Sequence, residues 1–318
     1  MDDRSVSALK LLGINQADVS LLSKSAKQSQ TRDAFAFKWA RRDTYESPAV
    51  STNMRNWLIE RYCNGDSDQL ARWLDGDRKI ILDAGCGSGH SGLLLFGDHL
   101  KRHDYLGIDI SSAVDVARVR FAEAGYEADF LQSDLLDLPV PDASIDMIFS
   151  EGVLHHTDST EGAIKSLSTK LKLGGRFLFY VYVKKAVIRE FTDDYVREKL
   201  RTLTDEQAWK ALEPLTLLGR ELGKLNVDIN VPKDIPFLGI KAGKLDLQRF
   251  FYWNICKTFY REDFSMDEMN HINFDWFRPL NCHRHTESEV RLWCEEAKLS
   301  IEHMDVSDSG ITVVALKA

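Results

Sequence analysis

Cysteine is scarce in this sequence. The five cysteines, at 63, 86, 256, 282 and 294, are odd in number, scattered, and without CxxC spacing. That excludes a disulfide framework and points to reduced thiols in a cytoplasm. Long apolar runs are missing as well: none approaches the ~18 residues that a membrane-spanning helix needs. The first residues, Met1-Asp2-Asp3-Arg4, lack the basic-then-apolar signature of a secretory signal. Nor is positive charge in excess. Lys and Arg number 41 against 49 Asp and Glu, a formal net charge of −8. This disfavours a partner held by neutralising its phosphates, so nucleic acid is not the expected ligand. What is present is a chain of 318 residues, 44% of them hydrophobic, enough for one large domain or two modest ones.

The organisation changes along the chain. Residues 1–33 are polar, and the first stretch suits a short amphipathic helix; residues 34–76 hold an aromatic cluster (Phe35, Phe37, Trp39, Tyr45) and then helical patterning around Asn53–Tyr62. From Lys79 onward, short apolar or β-branched runs alternate with amphipathic ones. Strands are expected near 79–84, 104–109, 127–131, 145–150 and 175–182, and helices over 89–98, 113–124 and 160–172. Such alternation implies βαβ crossovers and a parallel sheet. After Val183 the rhythm breaks into a charged, aromatic and mostly helical insertion. Sheet patterning then returns. A helix over 286–298 opens with the capping-box pattern Thr286-Glu287-Ser288-Glu289. Strands follow at 299–305 and 311–316, joined by a turn short enough for an antiparallel hairpin. The expected fold is a doubly wound α/β domain whose sheet is interrupted once and then completed. Its parts are 1–76, 77–183 with 284–318, and the insertion 184–283, the last an acceptor lid or a homodimer contact.

The most informative stretch is Ile81-Leu82-Asp83-Ala84-Gly85-Cys86-Gly87-Ser88-Gly89-His90. A strand that ends in closely spaced glycines and opens a helix lets backbone approach a ligand without Cβ clashes. Asp109 ends the next strand, where two carboxylate oxygens match the vicinal hydroxyls of a ribose. A dinucleotide fingerprint would place its third Gly or Ala at position 90, which is His90. The third glycine comes one residue early, so a nicotinamide cofactor, and with it an NAD-dependent oxidoreductase, is the weaker reading. Cys86 inside the loop has no His or Lys near it in sequence and reads as a loop-filling residue, not a nucleophile.

This segment resembles the first motif of the class I S-adenosylmethionine (SAM)-dependent methyltransferases, and further segments agree. Asp109 and Ile110 match the family's ribose-binding position. Ser133, Asp134 and Leu135 follow the third strand, where the family places an acid on the adenine amino group. Ser144–His156, including Ser150 and Glu151, resembles the fourth-strand motif whose loop flanks the methionine end of SAM. Leu171–Arg176 resembles the turn before strand five. The terminal hairpin resembles the family's reversed last strand in a mostly parallel seven-stranded sheet. Phe35–Arg42 is similar to segments that fold over the cofactor in several small-molecule methyltransferases. There Trp39 and Arg41 would meet the methionine end, with Arg41 or Arg42 pairing its carboxylate. The resemblance implies SAM as cofactor, held by Asp83, Gly85, Gly87, Gly89 and the residues just named, with S-adenosylhomocysteine (SAH) as product.

Acceptor chemistry has three candidate histidines. His155 and His156 follow strand four at the carboxyl edge of the sheet, where ligands bind in such folds. Each can be a base, which a hydroxyl or thiol acceptor would need, or a support for the cofactor loop. His285 lies in Arg278–Thr286, a stretch whose Cys282, His283 and His285 are too tightly spaced for the usual zinc pairs; no metal is expected. Tyr180 and Tyr182 are expected to point alternately, placing one hydroxyl at the pocket. The function expected is methyl transfer from SAM to a small molecule. The rival readings are the oxidoreductase and a non-catalytic SAM-binding scaffold.

Overall fold

The computed structural model describes residues 7–15 and 25–318, so the part of the polar leader at 1–6 and 16–24 lies outside it. Two compact units emerge. One comprises the residues up to 40, 52–183 and 283–318; the other comprises 41–51 and 184–282.

The first unit is built on a seven-stranded sheet. Its strands are β1 (Ile80–Ala84), β2 (Asp104–Asp109), β3 (Asp129–Gln132), β4 (Ile145–Glu151), β5 (Leu171–Tyr182), and, after the insertion, β8 (Leu299–Val306) and β9 (Gly310–Lys317). Their order is β3-β2-β1-β4-β5-β9-β8. Neighbours from β3 to β5 pair in parallel, and β9 alone runs against them, antiparallel to both β5 and β8. The helices α5 (His90–Phe96), α6 (Ala113–Glu123), α7 (Thr160–Lys170) and α12 (Glu287–Glu296) cover the sheet, preceded by α1 (Ala8–Leu11), α2 (Ala26–Ala40), α3 (Pro48–Cys63) and α4 (Asp68–Trp73).

Period-two alternation explains the double winding. Leu82, Leu106, Ile108, Ile148 and Phe177 face the core shared with Ile164 and Leu167 of α7 and Val290 and Cys294 of α12. Their neighbours Tyr105, Phe130 and Phe149 face the other way, against Phe96 of α5 and Phe121 of α6 in edge-to-face and tilted ring contacts. A strand buried on both faces must be apolar nearly throughout, which is why these runs are continuous. The capping box of α12 forms as expected: Thr286 accepts from the Glu289 amide and Glu289 accepts from the Thr286 amide.

Three expectations need correction. The helix after the glycine loop ends at Phe96 and tightens into a 3-10 turn over Gly97–Lys101. The Leu171–Arg176 turn is instead a bulged start to β5, because Leu171 already pairs with Ile145 before the register shifts. Tyr180 and Tyr182 do not alternate; two residues apart on a strand they share a face, with ring centroids 6.0 Å apart.

The second unit holds α8 (Val187–Leu200), α9 (Asp205–Lys224), α10 (Leu247–Asn254) and α11 (Met266–Phe277), with a two-stranded antiparallel ladder of β6 (Asp228–Val231) and β7 (Gly243–Asp246). The helical reading of the insertion missed this ladder. Among the described residues, no helix is long and apolar enough to cross a membrane.

Candidate cofactor site

The site lies at the carboxyl ends of β1, β2 and β4. After Ala84 the chain turns with Gly85, Gly87 and Gly89 at φ of +87°, +50° and +72°, a region that side chains with a Cβ enter at a cost. Close approach adds to that constraint. A Cβ on Gly85 would lie 2.1 Å from Val153, and one on Gly87 would lie 2.6 Å from the Trp39 indole nitrogen. The loop is therefore covered on one side by the turn after β4 and on another by the end of α2. Gly89 caps α5 and backs onto Phe121.

Asp109 pins the loop from β2. Its carboxylate accepts from the Gly87 amide at 2.9 Å and from the Ser111 amide and hydroxyl at 2.8 and 2.6 Å. Burial raises its pKa, against those hydrogen bonds and the charge of Lys38. Lys38 is itself buried, with its ammonium 3.7 Å from the centroid of the Trp39 ring. Next to Asp109, Gln132 donates to the carbonyl of half-exposed Ile110 at 2.9 Å. Ser133 donates its amide to the Asp109 carbonyl, while its hydroxyl is buried with no hydrogen-bond partner among the described residues. Asp134 accepts from the Leu136 amide at 2.9 Å, and Leu135 faces the core. A glycine cradle, a buried acid beside it and an orphaned buried hydroxyl fit an adenosine ligand.

Other expected ligands are spent differently. Asp83 accepts a hydrogen bond from the Tyr105 hydroxyl and packs against Gly92 of α5. Ser150 donates to the Ala84 carbonyl at 2.7 Å, tying the ends of β4 and β1 together. Glu151 accepts from Arg61 and from Tyr62, each at 2.5 Å, and so anchors α3. Burial, then the charge of Glu151, pushes the Tyr62 phenol well above its ordinary range. Arg41 lies in the second unit with its guanidinium 4.2 Å from the Trp209 ring centroid, and Arg42 donates to Glu46 at 2.6 Å. Burial, then Asp83 and Asp109, raises the Cys86 thiol well above its usual range, so it is no ready thiolate.

The histidines gather beyond the ends of β4 and β5. His155 stacks on Tyr182 with centroids 3.7 Å apart, and His156 meets Phe35 of α2 edge-on at 5.0 Å. The His283 amide donates to the His155 carbonyl at 2.9 Å. His285 is bonded to the Thr160 hydroxyl at 2.9 Å and sits edge-on to Trp293 of α12. His283, which sequence reasoning weighed only as a metal ligand, instead tethers the loop after β4; its signal is the long-range backbone bond, invisible in sequence. Among the described residues no group of three or more His, Cys, Asp or Glu could hold a metal ion.

Residues 82–179 match the family model of a methyltransferase domain. Over that segment the chain is similar to methyltransferase domains. It is 30% identical over 122 residues to the "Fatty-acid O-methyltransferase" of Mycolicibacterium smegmatis, covering 38% of this chain and 43% of that protein. It is 33% identical over 115 residues to "Probable tRNA methyltransferase 9B" of Homo sapiens, covering 35% of this chain and 23% of that one. The chain spans between 23% and 57% of the curated relatives it first matches. Among solved structures it is similar to the magnesium protoporphyrin IX methyltransferase of Synechocystis with bound SAH, at a TM-score of 0.46 and 15% identity, with 92% of this chain and all of that one aligned.

The Asp83 carboxyl carries a testable pH signature. Burial, partly offset by Tyr105, lifts its pKa to about 7. A carboxyl with a folded pKa above its unfolded value of about 3.9 holds its proton more tightly when folded. Its contribution to stability is complete below about pH 4 and is lost as pH rises toward 7. Asp83→Asn cannot ionise yet still accepts from Tyr105. The difference in melting temperature between wild type and variant should therefore change between about pH 4 and pH 7, the variant gaining relative to wild type as pH rises. Parallel curves would place the Asp83 titration outside that window.

Proposed function

We propose that this protein is a cytoplasmic enzyme that moves the methyl group of SAM to a small-molecule acceptor. The observation that carries the reading is the clasp between the Asp109 carboxylate and the Gly87 amide, roofed by Trp39. SAM bound there would supply a methyl on a positively charged sulfonium, which departs without covalent help from the protein. The chain's own residues then have three tasks. Asp109 grips the two sugar hydroxyls, Asp134 accepts from the adenine amino group, and the backbone at 85–89 lies against the ligand. Trp39 and Val153 close the loop and keep water out, which strengthens every polar contact inside. We assign His155 and His156 the support of the cofactor loop: fully or almost fully buried, they are packed between Tyr182 and Phe35. His285, bonded to Thr160, is assigned the same kind of supporting role.

The small-molecule reading rests on the net charge of −8, which opposes phosphate-led recognition. The likenesses to a fatty-acid and to a tRNA methyltransferase each cover little more than a third of this chain, so neither carries the acceptor. Turnover scored by SAH release, against a pool of metabolites in one arm and total tRNA in the other, separates the two. Release with metabolites alone is expected; release with tRNA alone would overturn the acceptor class, and release with neither would overturn catalysis. Trp39→Ala is expected to weaken SAH binding roughly tenfold, about 1.4 kcal/mol, by calorimetry. An unchanged affinity would remove Trp39 from the cofactor roof.

A further inference from the structure

The first unit holds a polar cavity of about 510 Å³ at the amino ends of β2 and β3, the opposite end of β2 from Asp109. Its charged lining is segregated. Arg78, Lys101, Arg102 and His103 come from the stretches leading into β1 and β2, whereas Glu127 and Asp129 come from the start of β3. Some of these charges are cancelled where they stand. Asp104, which also lines the cavity, is paired with Arg78 at 2.5 Å, and Lys101 is held by Asp98 at 2.6 Å. Others are not. Arg102 meets only the Gly76 carbonyl, at 3.4 Å, and Asp129 accepts only from the Leu9 amide, at 3.0 Å. Among the described residues, neither of these nor Glu127 forms an ion pair.

His103 brings an unused donor to the same cavity. The residue is 5% exposed, and its Nδ1 accepts from the Lys79 amide at 3.2 Å. That bond uses the Nδ1 lone pair, so the neutral ring carries its proton on Nε2. Among the described residues this N–H has no hydrogen-bond partner. Burial, then Arg102, His99 and Lys79 against the pull of Asp104, brings the ring down to about 4, which keeps it a neutral donor near pH 7. Donors this deeply placed are normally bonded; here the acceptor is supplied by whatever occupies the cavity.

We propose that this cavity binds a small zwitterion of the α-amino acid class, its carboxylate on the Arg102 guanidinium and the His103 N–H, its ammonium on Asp129 and Glu127. A simple anion would satisfy Arg102 and His103 but face two unpaired carboxylates. A simple cation would satisfy the carboxylates and face Arg102. A ligand that carries both charges on one carbon matches both walls. The site uses no residue of the glycine loop, so it stands apart from the methyl-transfer reading.

An equimolar mixture of the neutral L-amino acids is the probe, titrated into the full chain while the His103 ring proton is followed by NMR. His103→Gln identifies that resonance by its loss. The mixture is expected to shift it. The N-acetylated forms, which lack the ammonium, and the corresponding amines, which lack the carboxylate, are expected to bind about fivefold or more weakly. Arg102→Gln and Asp129→Asn should each raise the half-saturating concentration of the mixture about fivefold or more. Arg102 is exposed, and Asp129→Asn keeps an oxygen for the Leu9 amide, so both variants spare the fold. No shift with the mixture, an equal response to either half-ligand, a stronger response to inorganic phosphate, or wild-type affinity in either variant would each overturn the site.

Discussion

Asp109→Ala is expected to weaken SAH binding about a hundredfold or more, roughly 3 kcal/mol. Two effects combine. The ribose loses a carboxylate acceptor, and hydrogen bonds to charged groups are worth about 1.5–3 kcal/mol each. The loop also loses its tie, because the Gly87 amide and the Ser111 amide and hydroxyl all donate to this one side chain. Asp109→Asn separates the two: its amide oxygen can still accept from Gly87, so it should retain loop order and lose affinity by a smaller factor. Calorimetry with SAH, alongside hydrogen exchange at 85–89, reads both quantities. Wild-type affinity in Asp109→Ala would show that the acid serves the loop alone.

Much of this site was visible in the bare sequence, and the reason is locality. The glycine loop, Asp109 and Asp134 each follow a short apolar run, so strand ends and turn chemistry mark their places without knowledge of the tertiary structure. The capping box at Thr286 and Glu289 is likewise written within four residues. What escaped was set by partners distant in sequence. Nothing near Asp83 says that its carboxyl turns to Tyr105, 22 residues on. The β6–β7 ladder escaped for another reason: each strand is only four residues long, and β7, Gly243-Lys244-Leu245-Asp246, holds one large apolar side chain, Leu245, which is exposed. β6 alternates as Asp228-Ile229-Asn230-Val231, the shortest run that period-two patterning can mark, and β7 supplies no matching alternation.

The position of Glu151 at the end of β4 suggested a cofactor ligand, while its carboxylate meets Arg61 and Tyr62. The side chains of Arg61 and Glu151 are 5% and 6% exposed, and the guanidinium is sandwiched between Trp57 and Tyr180 at 3.4 and 3.6 Å from the ring centroids. Removing one member of such a pair leaves the other charge buried and uncompensated, which typically costs about 3–5 kcal/mol. Glu151→Ala is therefore expected to lose stability of that order in urea unfolding. Arg61→Met, in the Glu151→Ala background, should recover part of it by removing the stranded cation and filling its space with apolar atoms. SAH affinity of the folded Glu151→Ala protein should fall far less than that of Asp109→Ala. A Glu151→Ala protein that melts like wild type but no longer binds SAH would reverse the assignment and return the carboxylate to the cofactor.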